Sequence, residues 1–146
     1  MAKALNIWLI DDDDTFILLF ETALETVLSG TVPYTFNGFE DSDKAMKILR
    51  GQLQEIDNPP NPDLIFLDHR MPQKDGWEIL QELKTDKSTQ CIPVCMLSSS
   101  ANPKELRQCY SLGANACMTK PMSFKELGPK LQLTCQFFSD VFELPE

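Results

Sequence analysis

Residues 63–76 read DLIFLDHRMPQKDG. An apolar run, Leu64–Leu67, stops abruptly at one carboxylate, Asp68. Met71-Pro72 and Asp75-Gly76 then turn the chain, and a helical pattern begins at Trp77. A short apolar run bounded by turn residues reads as a buried strand. Ligands of an open α/β sheet bind outside the carboxyl ends of its strands. A strand that hands a single acid to a loop is therefore where such a sheet presents chemistry, and the other segments are read around Asp68.

Upstream, Leu5–Ile10 predicts a strand that ends in the acids Asp11, Asp12, Asp13 and Asp14. Thr15–Leu28 follows a helical period, with Phe16, Phe20, Ala23 and Val27 on one stripe and Ile17 and Leu24 beside it. Ser29-Gly30 ends that helix. Val32–Phe36 predicts a second strand whose Pro33 suits a sheet edge. Asp41 or Ser42 caps a helix carrying Ala45, Ile48, Leu49, Leu53 and Ile56, and the proline-rich run from Asp57 to Pro62 is a loop.

Downstream, Asp75-Gly76-Trp77-Glu78 reads as a capping box opening a helix to about Lys87. Ile92–Leu97 is another strand and ends in Ser98-Ser99-Ser100. Asn102-Pro103-Lys104-Glu105 is a second capping box with proline at the first helical position, and Gly113 stops that helix. Asn115–Thr119 is a short strand running into Lys120-Pro121. Ser123-Phe124-Lys125-Glu126 caps the last helix, which Gly128-Pro129 is expected to kink or restart. The alternation βαβαβαβαβα predicts an α/β protein with a parallel sheet and helices on both faces. The expected architecture is a flavodoxin-like three-layer (βα)5 sandwich of strand order 2-1-3-4-5, with Asp11, Asp12 and Asp68 side by side at the switch point.

The 146 residues, 42% of them hydrophobic, suit a single domain over 1–146; Ser139–Glu146 is too short for a second. No apolar run approaches the ~18 residues of a membrane span, and MAKALNIWLI does not fit a signal peptide. A net charge of −9 argues against a nucleic-acid face. The five cysteines lack CxxC pairing and accompany one histidine, so reduced thiols in a cytoplasmic protein fit better than a zinc site.

Four of the five strands end in residues of useful chemistry: Asp11 and Asp12, Asp68, Ser98 and Lys120. Clustered carboxylates repel, so at least one is driven toward protonation. Mg²⁺ relieves that conflict and keeps positions for phosphate oxygens. An aspartate can then act as nucleophile toward phosphorus, with Ser98 as hydroxyl donor and Lys120 as a point charge suited to phosphate. Asp13 and Asp14 read as helix N-terminal acids, His69 as a loop residue, Trp77 as packing and Cys117 as a small core or rim residue. Phe137, Phe138 and Phe142 fit either core or a partner surface.

IWLIDDDD, DLIFLDHRMPQKDG, IPVCMLSSS and MTKP, in that order and spacing, resemble the receiver domain of two-component response regulators, of the stand-alone, chemotaxis-regulator type, and the resemblance implies a domain core of about 4–135. The resemblance implies that Asp68 is the phosphoacceptor, Asp12 a direct ligand of Mg²⁺ (or Mn²⁺), Asp11 the holder of a metal-bound water, and the Arg70 backbone carbonyl a further ligand. Ser98 falls on the hydroxyl position, Lys120 on the lysine, and Lys120-Pro121 on a usually cis peptide bond. Arg70 and Ser100 fall on positions that tune phosphate lifetime. Cys117 stands where the family has an aromatic switch residue. The implied donor is a histidine kinase or histidine phosphotransfer protein. The implied output is a downstream protein target or a homodimer, switched through the last helices and strand, with no nucleic acid or membrane partner and no activity beyond self-catalysed phosphoryl transfer and dephosphorylation. Two other readings are weighed. Asp11-x-Asp13-x-Thr15 resembles the nucleophile motif of haloacid-dehalogenase-like phosphatases, although no acidic pair follows Lys120. A pseudo-receiver scaffold would bind partners without phosphorylation.

Overall fold

The computed structural model describes residues 3–53, 58–72, 74–141 and 143–144. Five strands, β1 (Leu5–Ile10), β2 (Tyr34–Phe39), β3 (Leu64–Asp68), β4 (Val94–Ser98) and β5 (Ala116–Thr119), form one parallel sheet of order 2-1-3-4-5, as expected. The helices are α1 (Asp14–Leu28), α2 (Ser42–Leu49), α3 (Gly76–Thr85), α4 (Pro103–Ser111) and α5 (Phe124–Gln136).

Side chains alternate between the faces of a strand, and the central strands are apolar on both. Ile7, Leu9, Leu64, Phe66, Cys95 and Leu97 face Phe16, Phe20 and Leu24 of α1 and Leu127, Leu131 and Cys135 of α5. Trp8, Ile10, Ile65, Leu67, Val94 and Met96 face Met46 and Ile48 of α2, Ile79, Leu80 and Leu83 of α3 and Cys109 of α4. The register then decides where the chemistry lies. Ile10 is opposite Leu67, Asp68 opposite Leu97, and Ser98 opposite Thr119, so Asp11, Asp68, Ser98 and Lys120 leave the sheet at one edge.

Several boundaries differ from the sequence expectations, each for a local reason. β2 begins at Tyr34 and not at Val32, and β4 at Val94 and not at Ile92. Proline has no N–H for a ladder, and Pro33 and Pro93 contribute only their carbonyls, to Leu5 N–H at 2.9 Å and Ile65 N–H at 3.0 Å. Helix α2 ends at Leu49 because Gly51 turns the chain at φ +70°. Leu53 therefore packs against the core from outside the helix, and Ile56 and Asp57 lie outside the described residues. Helix α3 stops at Thr85, where Asp86 accepts from the Ser88 N–H and hydroxyl. Helix α5 runs through Gly128-Pro129 without restarting. Pro129 faces solvent, so its ring avoids the core. The Lys120–Pro121 bond is trans, the lower-energy form of an X–Pro bond, and not the cis form that the resemblance implies. After α5 a π-helical turn spans Phe137–Val141. Phe138 and Leu144 pack on the α1–α5 side of the core, Phe137 is exposed, and Phe142 lies outside the described residues.

Gly76 decides how closely the loop after β3 can fold back. A Cβ there would sit 2.1 Å from the Asp68 carbonyl oxygen and 2.9 Å from His69 Cα, both backbone atoms, while the Gly76 N–H donates to the His69 carbonyl at 2.8 Å. Gly76→Ala must therefore push α3 off the end of β3. Overpacking of this kind costs about 2–3 kcal/mol, or roughly 5–10 °C in a domain of this size. A thermal melt checks it, and an unchanged midpoint would refute the tight backbone contact.

Candidate functional site

The β1 end supplies two acids of opposite character. Asp11 is completely buried and Asp12 is exposed. The Asp11 backbone N–H extends the β1–β2 ladder to the Phe39 carbonyl at 3.0 Å, and one Asp11 oxygen accepts the Asp13 N–H at 2.9 Å. Asp13 is the N-cap of α1, accepting from Thr15 N–H at 3.0 Å and Phe16 N–H at 3.4 Å, and Asp14 lies in the first turn. Both are thus helix N-terminal acids, as the sequence suggests. Asp68, at the end of β3, is 6% exposed.

Asp11, Asp12 and Asp68 bring one carboxylate oxygen each within 4.8 Å of one another. Lys120 closes the group from β5. Its Nζ lies 2.8 Å from Asp11 Oδ2 and 3.6 Å from Asp68 Oδ1. Its backbone N–H donates to the Ser98 carbonyl at 2.6 Å, which fixes β5 beside β4 at this point. The ammonium also sits 4.3 Å from the centre of the Phe16 ring, a cation–π contact. Phe16 thus has a role at the site that a helical stripe alone does not reveal.

The electrostatics record the crowding. Burial pushes Asp68 up to about 6, the charge of Asp11 adds to this, and Lys120 opposes it. Burial likewise raises Asp11 against the hydrogen bond from Lys120. Burial alone would lower Lys120, but its hydrogen bond to Asp11 and the charges of Asp11, Asp68 and Asp13 together raise it. Oxygen donors held in this state fit a hard divalent cation, which would remove the mutual repulsion.

The remaining expected residues are placed less uniformly. Ser98 is buried at the end of β4, but its hydroxyl is engaged within its own loop, donating to the Ser100 carbonyl at 2.8 Å and accepting the Ser100 N–H at 3.2 Å. Arg70 directs its guanidinium to Glu105 of α4. Cys117 is half-buried, and its backbone N–H donates to the Tyr110 hydroxyl at 3.1 Å. A hydrogen bond from the Cys109 thiol lowers the Cys117 thiol against the effect of burial. Pro121 is buried. His69 lies in the loop after β3, as expected, and is packed there: its ring is buried, stacks on Trp77 at 4.2 Å and lies 3.5 Å from Asp75 Oδ1. Beside the acids, Asp12, Glu40, Asp41, Ser42, Met71, Pro72 and Lys74 line an open cleft of about 350 Å³.

The description "Response regulator receiver domain" matches residues 7–132. The chain belongs to the response regulator receiver family. It is 32% identical to Response regulator Rcp1 of Synechocystis sp. over 139 residues, covering 95% of this chain and 92% of Rcp1. It is 31% identical to the Probable methanogenesis regulatory protein FilR2 of Methanothrix harundinacea, covering 83% and 75% of the two chains. Among solved structures it resembles the phosphorylated cyanobacterial phytochrome response regulator RcpA, with 34% identity, a TM-score of 0.85 and coverage of 99% of this chain and 100% of RcpA. It also resembles the Mn²⁺-bound form of Rcp1, with 32% identity, a TM-score of 0.82 and coverage of 97% and 99%.

This receiver is a phosphorylation-dependent signalling module of two-component systems, a family that accepts phosphoryl groups from histidine kinases. Its acidic cluster is of the kind that binds a divalent metal in receiver domains. No helix among the described residues is long and apolar enough to cross a membrane.

Proposed function

We propose that Asp68 is the phosphoacceptor of this receiver, that Asp11, Asp12 and the Arg70 carbonyl hold a divalent cation, Mg²⁺ or Mn²⁺, and that Ser98 and Lys120 serve the phosphoryl oxygens. The observation that carries the reading is the set of three carboxylates within 4.8 Å of one another beside one lysine. The ionised Asp68 oxygen attacks phosphorus in line. The bond from phosphorus to the donor breaks, its electron pair leaves with the donor, and an acyl phosphate remains. The cation, when bound, offsets charge on the phosphoryl oxygens. Lys120 is held by Asp11 within reach of any group attached to Asp68. The Ser98 hydroxyl has to leave the Ser100 carbonyl to donate to that group, which ties phosphorylation to the loop before α4.

The donor is a histidine kinase or histidine phosphotransfer protein. The likenesses to RcpA and to the bacteriophytochrome response regulators RtBRR and AtBRR, each at 26% identity, support a phytochrome-linked kinase. The output is a downstream protein or a second copy of the chain, met on the side of α4, β5 and α5. Residues 1–146 act as a single receiver unit in the cytoplasm, and turnover stops at its own phosphorylation and dephosphorylation. Arg70, Ser100, Cys117 and Pro121 set lifetime and coupling.

Incubation with a small acyl phosphate and Mg²⁺ tests the assignment. The expected result is the mass gain of one phosphoryl group, mapped to Asp68. A gain mapped to Asp11 would favour a phosphatase-type nucleophile, and no gain would favour the scaffold reading.

A further inference from the structure

Arg70, in the loop after β3, meets Glu105 of α4. Arg70 stands two residues beyond Asp68, with its side chain 66% exposed and its Nη2 3.2 Å from Glu105 Oε1. Glu105 lies in the first turn of α4, and its second oxygen, Oε2, is buried without a hydrogen-bond partner. The capping-box pattern would turn Glu105 back to the Asn102 N–H, but that donor is taken by Ser100 Oγ at 3.1 Å. Glu105 is therefore turned from its own helix start toward Arg70.

We propose that Glu105 is a latch on Arg70, holding the guanidinium off Asp68 in the resting chain, so that it shortens the life of the acyl phosphate and couples phosphorylation to α4. The proposal rests on Asp68 being the phosphoacceptor. A phosphoryl group brings between one and two negative charges and three acceptor oxygens, against the single carboxylate of Glu105. A guanidinium fork suits the phosphoryl oxygens better than its one contact with Glu105. Arg70 drawn over the group stands in the path of water. Hydrolysis needs that path: the water oxygen bonds to phosphorus, the bond to Asp68 breaks, its electron pair returns to the carboxylate, and the water proton passes to solvent. Every moment that Glu105 keeps Arg70, the group is open to attack.

The released Glu105 carries the signal onward. Its Oε2 has no hydrogen-bond partner, and losing Arg70 removes the cation that offsets a partly buried carboxylate. Exposing it to water requires movement of the first turn of α4. The ring that family members place at the Cys117 position is missing here, and the Arg70–Glu105 pair gives α4 a route that needs no ring.

The lifetime of the Asp68 phosphate, followed in Mg²⁺ after removal of the donor, tests the latch. Glu105→Gln is expected to lengthen it about two- to fivefold, the ratio that an exposed ion pair is worth. In an Arg70→Ala background the same change is expected to have no effect. An unchanged or shorter lifetime in Glu105→Gln overturns the latch, as does a lengthening that persists without Arg70. If no phosphate forms at Asp68 in the wild type, the phosphoacceptor assignment fails and the latch with it. Normal phosphorylation with unaltered lifetimes defeats the latch alone.

Discussion

Asp68→Asn is expected to take up no phosphoryl group from a small acyl phosphate, and without divalent metal to melt higher than the wild type at pH 7.5. The first effect is complete because the amide is not the nucleophile that the carboxylate is. The second follows from the raised Asp68 carboxyl, near 6 in the folded chain against the ordinary 3.8. A raised acid pKa means that the folded chain holds the proton more tightly than the unfolded one. The penalty is absent below about pH 4, grows as pH rises toward 6, and is complete above that. Removing the charge from this buried group returns about 3 kcal/mol, roughly 6–12 °C. The advantage of Asp68→Asn should therefore be small at pH 4.5 and full at pH 7.5. Millimolar Mg²⁺ should narrow it, because the wild type binds the ion better and gains stability by mass action. Equal melting temperatures at pH 7.5 without metal would mean that the three acids do not repel as their spacing requires.

Lys120→Met should act in the opposite direction. The methionine keeps most of the apolar stem over Phe16 and removes the ammonium that sits 2.8 Å from Asp11 and 3.6 Å from Asp68. Breaking a buried ion pair from one side leaves an uncompensated charge, a loss of about 3–5 kcal/mol. Two remedies are open to the variant. At pH 5 both raised carboxyls take up protons more readily, and at pH 7.5 a divalent cation replaces the missing charge. Thermal melts should show a deep loss at pH 7.5 without metal and substantial recovery under either condition. A loss that is the same in all three would assign Lys120 to packing on Phe16 and not to charge balance.

Much of this arrangement is legible in the residues because the signals are local and coincide. Leu64–Leu67 has no polar break before Asp68, and Ile7–Ile10 has none before Asp11, so both strand ends are marked by the same change from apolar to acidic. Register is less visible, yet parallel alternation leaves few topologies, and the order 2-1-3-4-5 brings those ends together. Boundaries fail where a residue serves two interests. Pro33 and Pro93 belong to apolar runs but lack the donor that would begin the ladder. Leu53 keeps the helical spacing of α2 and still packs inward after Gly51 has ended the helix.

Side-chain partnerships beyond a few residues are the hardest to read. Glu105 has the sequence position of a capping-box acid, but Ser100 reaches the cap donor first and Glu105 pairs with a residue 35 positions away. His69 looks like an ordinary loop residue because nothing nearby in sequence announces that Trp77 folds back over its ring. Gly76 reads as a turn glycine, whereas its missing side chain matters because the β3 backbone lies against it.

The stacking of Trp77 on His69 gives the chain a built-in optical reporter. The two indoles of the sequence occupy unequal places: Trp8 is sealed in the core with its Nε1–H donating to the Pro60 carbonyl, while Trp77 lies against His69, the residue that follows Asp68. Intrinsic emission from the second is therefore expected to respond to ion binding or phosphorylation at Asp68, over a steady background from the first, without a dye or tag.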